Sequence, residues 1–213
     1  MERVDSATIA RLLEPFAKLD QKQLDATSTY LDLLVKWNAK TNLTSVRDPR
    51  EILTRHFGES FFAASRLVAP GALETVIDLG SGAGFPGLPL AVFAPTAQVT
   101  LLESNAKKAA FLNEVIHALQ LSNVKTVRQR GEDHQGQADL VTMRAVEEFS
   151  KSAAVALGLV RDGGRLALMI GAAQVDTAKA LMPDVRWRPA VPIPSSHSRV
   201  ILVGIKPAKV KQG

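Results

Sequence analysis

Ten residues, Asp78-Leu79-Gly80-Ser81-Gly82-Ala83-Gly84-Phe85-Pro86-Gly87, constrain the fold of this chain more than any others. They follow a short apolar run, Val76-Ile77-Asp78-Leu79, and lead into a helical run toward Phe93. Glycines at 80, 82 and 84 let the chain turn sharply off a buried strand and let backbone approach a ligand closely. The same segment also spells G-x-G-x-x-G through Gly82, Gly84 and Gly87, the dinucleotide fingerprint. A tight strand–helix turn with no ligand uses the same residues. What surrounds the turn decides between these readings.

Strand and helix patterns alternate from Thr75 onward. Strands are predicted at Val76–Leu79, Val99–Glu103, Val124–Arg128, Leu140–Met143 and Arg165–Ile170, and two more near Val185–Arg188 and Arg199–Ile205, seven in all. A helix from about Lys107 to Leu119 separates the second and third. Such alternation builds an α/β doubly wound domain with a mostly parallel sheet. The first seventy residues read instead as helices. Ile9, Leu12, Leu13 and Phe16 recur at helical spacing, as do Leu24, Leu31, Leu34 and Val35. Asp48 as N-cap and Pro49 at the first helical position announce a third helix, running to about Phe62. Asn38–Ser45 reads as a polar loop, and Pro70-Gly71 marks the change of pattern. The expected organisation is a helical N-terminal extension over 1–70 and an α/β domain over 71–213.

Three acids stand just past strand ends, where open α/β sheets bind ligands. Asp78 is placed to face a cation or an amino group, which suits the sulfonium and ammonium of S-adenosylmethionine and repels a pyrophosphate. Glu103 is placed to accept from ribose hydroxyls, and Glu132-Asp133 to accept near an adenine. Hydride chemistry of the Tyr-x-x-x-Lys type is excluded, because the only tyrosine, Tyr30, has Leu34 four residues on. Arg144, at the end of the fourth strand, cannot act as a base but can grip a carboxylate or phosphate bidentately. With neither base nor nucleophile in view, the acceptor atom must already be nucleophilic, as guanine N7 is.

Composition closes off other chemistries. Cysteine is absent, so disulfide scaffolds, zinc–thiolate sites and cysteine nucleophiles are excluded. The start, Met1-Glu2-Arg3-Val4-Asp5, carries both signs of charge with no apolar run behind it. The densest apolar stretch, Leu166–Ala173, falls well short of the roughly 20 residues a bilayer span needs. A soluble, cytoplasmic protein with no membrane partner is the expectation. The net charge of +5 is gathered in two places, Lys107, Lys108, Lys125, Arg128 and Arg130, and the tail after Asp184. Lys107, Lys108 and Arg199 are the candidates for the phosphates of a nucleic acid; a basic solvated face is the alternative.

Together these residues resemble the bacterial 16S rRNA guanine-N7 methyltransferases, also called the glucose-inhibited division protein B family. The resemblance rests on Trp37-Asn38 with Asn42-Leu43-Thr44, Glu51-Ile52 with Arg55-His56 and Ser60, and the run from Asp78 to Pro89. It continues through Leu101–Ser104 with Lys107-Lys108 and Phe111-Leu112, then Arg130-Gly131-Glu132, Arg144-Ala145-Val146 and Gly163-Gly164. It implies a Rossmann-like class I methyltransferase fold with S-adenosylmethionine held at Gly80, Phe85, Gly131, Glu132 and Arg144. To these the residue reading adds Asp78, Gly82, Gly84 and Glu103. The implied partner is 16S rRNA or the small ribosomal subunit, the implied act is methylation of one guanine in it, and a monomer is favoured. Two departures stand out: Gly131 where the family commonly has Ala or Val, and Gly171-Ala172 where it often has Gly-Lys. A non-catalytic RNA-associated protein that keeps the cofactor fold is the alternative.

Overall fold

The computed structural model describes residues 4–69, 71–144 and 148–208. Helix α1 (Ser6–Leu13) starts where Asp5 accepts from the Thr8 N–H at 2.9 Å. Helix α2 (Gln21–Thr41) opens with a reciprocal capping box between Asp20 and Gln23 and closes on Asn42 in the left-handed conformation. It overruns the expected loop: Asn38 belongs to the helix, and its buried amide holds the following turn by donating to Val46 O and accepting from the Thr44 N–H. The third predicted helix is three segments in one line, α3 (Pro49–Ile52), a π-helical stretch (Leu53–Gly58) and α4 (Glu59–Leu67). Asp48 caps it and Pro49 leads it, as expected. The π-helical stretch widens the helix at Arg55 and His56, a feature frequent at functional sites.

Next come β1 (Thr75–Leu79), α5 (Gly87–Phe93), β2 (Gln98–Leu102), α6 (Ala106–Ala118), β3 (Val124–Val127) and β4 (Ala138–Arg144). Then follow α7 (Phe149–Leu159), β5 (Val160–Gly171), α8 (Val175–Leu181), β6 (Arg186–Trp187), β7 (Val191–Pro192) and β8 (Arg199–Ile205). The sheet runs β3-β2-β1-β4-β5-β8-β6, with β7 also on β8. Strands β1 to β5 are mutually parallel, while β8 is antiparallel to β5, β6 and β7. Among the described residues the sheet therefore has eight strands, not the seven expected. The extra one is the two-residue β7, which exists only through its pairing with β8.

The chain steps outward from β1 to β3 and returns to β4, so the order reverses between β1 and β4. The carboxyl ends of those strands frame the crevice where doubly wound sheets bind ligands. One sheet face is packed by the N-terminal helices together with α5 and α6. Ile9, Leu13, Leu34, Phe57 and Phe61 share a single buried cluster with Val76, Leu101, Leu140 and Ile201. That core crosses the change of pattern near residue 70. The other face carries α7 and α8 through Ala153, Ala156 and Ala178 against Val141, Leu166 and Leu168. Among the described residues no helix is long and apolar enough to cross a membrane.

Candidate cofactor cleft and the charged cluster beside it

The glycine turn is built as its sequence demands. Gly80, Gly82 and Gly84 have φ of 68°, 58° and 92°. At Gly84 a Cβ would overlap the Tyr30 hydroxyl and Leu88 as well, so both backbone and space exclude a side chain. The N–H groups of Gly80 and Ser81 donate to Leu102 O at 2.9 and 3.0 Å, tying the turn to the end of β2. Beneath it lies Asp78, 1% exposed, accepting from Gly87 N–H at 3.1 Å and from Thr142 Oγ1 at 2.7 Å. Burial raises its pKa to about 6, against the pull of those hydrogen bonds. The carboxylate expected to face a cofactor cation thus turns inward and braces the start of α5.

Glu103, directly after β2, is 6% exposed. Its Oε2 accepts from the Gly82 N–H at 2.9 Å and its Oε1 from the Asn105 N–H at 2.8 Å. A carboxylate has about four acceptor sites, so both bonds leave capacity for hydroxyl donors. Glu103 and Gly80 line a cleft of about 400 Å³ whose other walls include Lys108, Arg130, Gly131, Glu132 and Lys151. Glu132 faces the Lys151 ammonium at 3.9 Å, with both side chains exposed. Gly131 opens a short 3-10 turn, and a Cβ there would stand 2.5 Å from Leu79 Cδ1 and 2.8 Å from Val155 Cγ1. With no side chain at Gly131, the wall of the cleft there is backbone. Gly80, Gly82, Glu103, Gly131 and Glu132 are therefore brought together. Glu103→Ala is expected to weaken S-adenosylmethionine binding by about 1.5–3 kcal/mol, the range for a charge-assisted hydrogen bond. Titration calorimetry checks this, and an unchanged affinity removes Glu103 from the cofactor's contacts.

Phe85 and Arg144 lie elsewhere. Phe85 is 8% exposed and sandwiched between rings: Tyr30 stacks at 5.4 Å and His56 at 5.1 Å, with Phe57 edge-on at 5.0 Å. Tyr30 also donates its hydroxyl to Ala83 O, inside the glycine turn. The N-terminal helices thereby hold the turn from behind. Arg144 closes β4, and its NH2 group donates to Glu59 Oε2 at 3.0 Å and to Arg55 O at 2.7 Å, with His56 Nδ1 at 3.2 Å. Arg199 reaches the same carboxylate from β8, Nε to Oε1 at 3.0 Å and NH2 to Oε2 at 2.7 Å. Arg199, expected on the RNA-facing surface, is thus engaged within the protein. Lys107 is exposed at the start of α6, beside Lys108 on the cleft wall. Of the other tail cations, Lys209 and Lys211 lie outside the described residues, as do Ala145, Val146 and Glu147.

A guanidinium only donates, so His56 Nδ1 is the acceptor toward Arg144, and the protonated Nε2 donates to Thr44 Oγ1 at 2.7 Å. Burial first, then the charges of Arg144, Arg199 and Arg55, hold the His56 pKa down to about 3. Arg144 is lowered to about 10 by burial and stays charged at neutral pH. Glu59 was invisible to sequence reasoning. The only signal is an acid inside a mostly apolar helical run from Phe57 to Ala64.

A sequence profile of one family, described as "rRNA small subunit methyltransferase G", matches residues 23–189. The chain is 44% identical over 162 residues to the ribosomal RNA small subunit methyltransferase G of Roseiflexus castenholzii, covering 73% of this chain and 68% of that protein. It is 46% identical over 144 residues to the protein of that name from Xanthomonas euvesicatoria pv. vesicatoria, covering 67% and 66%. The aligned part thus spans about two thirds of these relatives. Among solved structures, a SAM-dependent methyltransferase from Aquifex aeolicus superposes with a TM-score of 0.62 at 15% identity, covering 78% of this chain and 97% of that one. P. horikoshii TYW2 in complex with MeSAdo gives 0.58 at 22% identity, covering 72% and 62%. These structures share the class I methyltransferase fold that the family resemblance implies for this chain.

Proposed function

The chain belongs to the rRNA small subunit methyltransferase G family, and from that membership we propose that it methylates N7 of one guanine in 16S rRNA. Bound S-adenosylmethionine supplies an electrophilic methyl group on a sulfonium. The residues of the cleft suit it: Glu103 for the ribose hydroxyls, backbone at Gly80 and Gly131 for close approach, and Glu132 at the rim. Held there, the cofactor would supply the methyl group to a guanine N7 lone pair, which has no proton to lose, so the residues of the site need only bind and orient.

One observation carries the choice of acceptor. At the carboxyl end of β4 stand an arginine charged at neutral pH and a histidine whose ring nitrogens are both engaged. Neither is a general base, which suits an acceptor that has no proton to lose. N7 lies in the major groove, too deep and narrow in A-form RNA for a pocket to enter, so the target guanine is unpaired or flipped out. A cytoplasmic monomer acting on 16S rRNA or the small subunit is the setting. Radiolabelled methyl transfer to ribosomal RNA lacking its own methylation tests the reading. Label at a single guanine N7 supports it; no label with cofactor bound favours the non-catalytic RNA-associated protein.

Phosphate contacts are expected from Lys107 and Lys108, with Arg186 and Arg188 as further candidates. With four to six contacts the log–log salt slope of RNA binding is expected at roughly −3 to −5. Replacing Lys107 and Lys108 by glutamine should flatten it by about 1.4–1.8. An unchanged slope removes both lysines from the RNA interface.

A further inference from the structure

A second, smaller cleft of about 110 Å³ opens at the carboxyl ends of β4 and β5. Phe149, at the start of α7, walls it, while the preceding residue Glu148 lines the cofactor cleft, so adjacent residues of the chain wall the two. Met143, whose register partner Leu79 also lines the cofactor cleft, forms another side. Met169 and Ile170 join Met143 and Phe149 as the apolar part of the lining, suited to the faces of a flat ring. Two polar side chains also line it, Gln174 and Arg199, and each presents a donor. The plane of Arg199 is fixed by its two bonds to Glu59, and a guanidinium accepts nothing. The Gln174 carbonyl is committed to the Gly171 N–H at 3.0 Å, so that amide offers its NH2 to a ligand.

We propose that this cleft receives the flipped target base and that Gln174 and Arg199 select a purine with an acceptor at C6. The inference rests on the methyl-transfer reading above. Adenine also carries a nucleophilic N7 lone pair, so N7 reactivity alone does not choose guanine. At C6 the two bases are opposite: O6 accepts and N6 donates. These donors pair with O6 and meet the adenine amino group head-on. They leave N7 free for the methyl group, which a donor on N7 itself would block.

The test uses ribosomal RNA carrying guanine, hypoxanthine, adenine or 2,6-diaminopurine at the methylated position. The unmodified enzyme should methylate guanine and hypoxanthine at similar kcat/KM, and the two 6-amino purines about 10- to 100-fold less well. Gln174→Glu keeps the carboxyl bond to Gly171 but offers only acceptors. It should lower kcat/KM for guanine about tenfold and shrink the guanine over diaminopurine preference by a similar factor. Phe149→Ala should reduce methylation about tenfold with S-adenosylmethionine affinity within about twofold, separating this cleft from the cofactor's. An unchanged preference in Gln174→Glu overturns the proposal, and so does rejection of hypoxanthine, which shows that the 2-amino group is read instead. An enzyme that binds cofactor but labels no RNA at all overturns the methyl-transfer reading and this inference with it.

Discussion

Glu59→Gln is expected to lower the free energy of unfolding by about 3 kcal/mol, with a matching fall in the midpoint of urea denaturation. Glu59 is 4% exposed and is the carboxylate on which two guanidinium groups converge. Glutamine keeps its length and shape but removes the charge, and its NH2 group faces a donor whichever way the amide is turned. Breaking a buried pair from one side costs about 3–5 kcal/mol, because the remaining charge stays desolvated without compensation. The lower end applies because the Arg199 side chain is 27% exposed and can recover water, whereas Arg144, at 7%, cannot. Arg144→Met in the same background should recover part of the loss by removing the stranded cation. A loss under about 1 kcal/mol in Glu59→Gln, the range of a surface pair, would show that the arginines are solvated in solution. The carboxylate also joins the start of α4 to the end of β4 and the start of β8. Methylation should therefore fall in Glu59→Gln even under conditions where the variant is fully folded.

The parts of the molecule that were legible in the sequence are those set by local chemistry. The glycine turn was readable because three positive-φ positions after an apolar run have few other uses. Asp48-Pro49 marked a helix start through a side-chain cap and a fixed φ, both local facts. Glu103 was readable because a strand end has a defined place in a doubly wound sheet. The charged cluster was not, since Glu59 is separated from Arg144 by 85 residues and from Arg199 by 140, and only the packed sheet brings them together. Without that partner Arg199 looked like a free basic residue and Arg144 like a clamp for a cofactor carboxylate. Asp78 was expected to face a cofactor cation, whereas its carboxylate is buried against Thr142 and the Gly87 amide. Its orientation depends on Thr142 in β4 and on the amide of Gly87, neither of which its own neighbours announce. Strand β7 went unread because two residues carry no period of their own. Helix α7 went unread because its alanine-rich sequence gives a weak apolar stripe.

Lowering the pH from 7 to 4.5 is expected to cost the protein about 2–3 kcal/mol through His56 alone. The ring is neutral in the folded state, its pKa held to about 3, whereas the unfolded chain takes up a proton near the ordinary value of 6.5. The unfolded state therefore binds more protons throughout that window. Stability is fully present above pH 6.5 and falls by up to about 1.4 kcal/mol per unit as the pH drops from there toward 3. Asp78 works in the opposite direction. Its folded pKa is raised to about 6 from 3.8, so its contribution grows as the pH falls from 6 to 3.8 and is lost as the pH rises back. The wild-type profile between pH 6 and 4 is the difference of two opposed slopes and looks flatter than either. Single variants separate them. His56→Gln retains an acceptor for Arg144 and a donor for Thr44 but takes up no proton. Urea unfolding at pH 7 and pH 4.5 should show it losing about 2–3 kcal/mol less than wild type over that interval. Asp78→Asn should lose more than wild type over the same interval, by an amount of the same order. Parallel profiles for wild type and His56→Gln would mean that the histidine is solvated and titrates normally, and that the Arg144 contact does not hold it neutral.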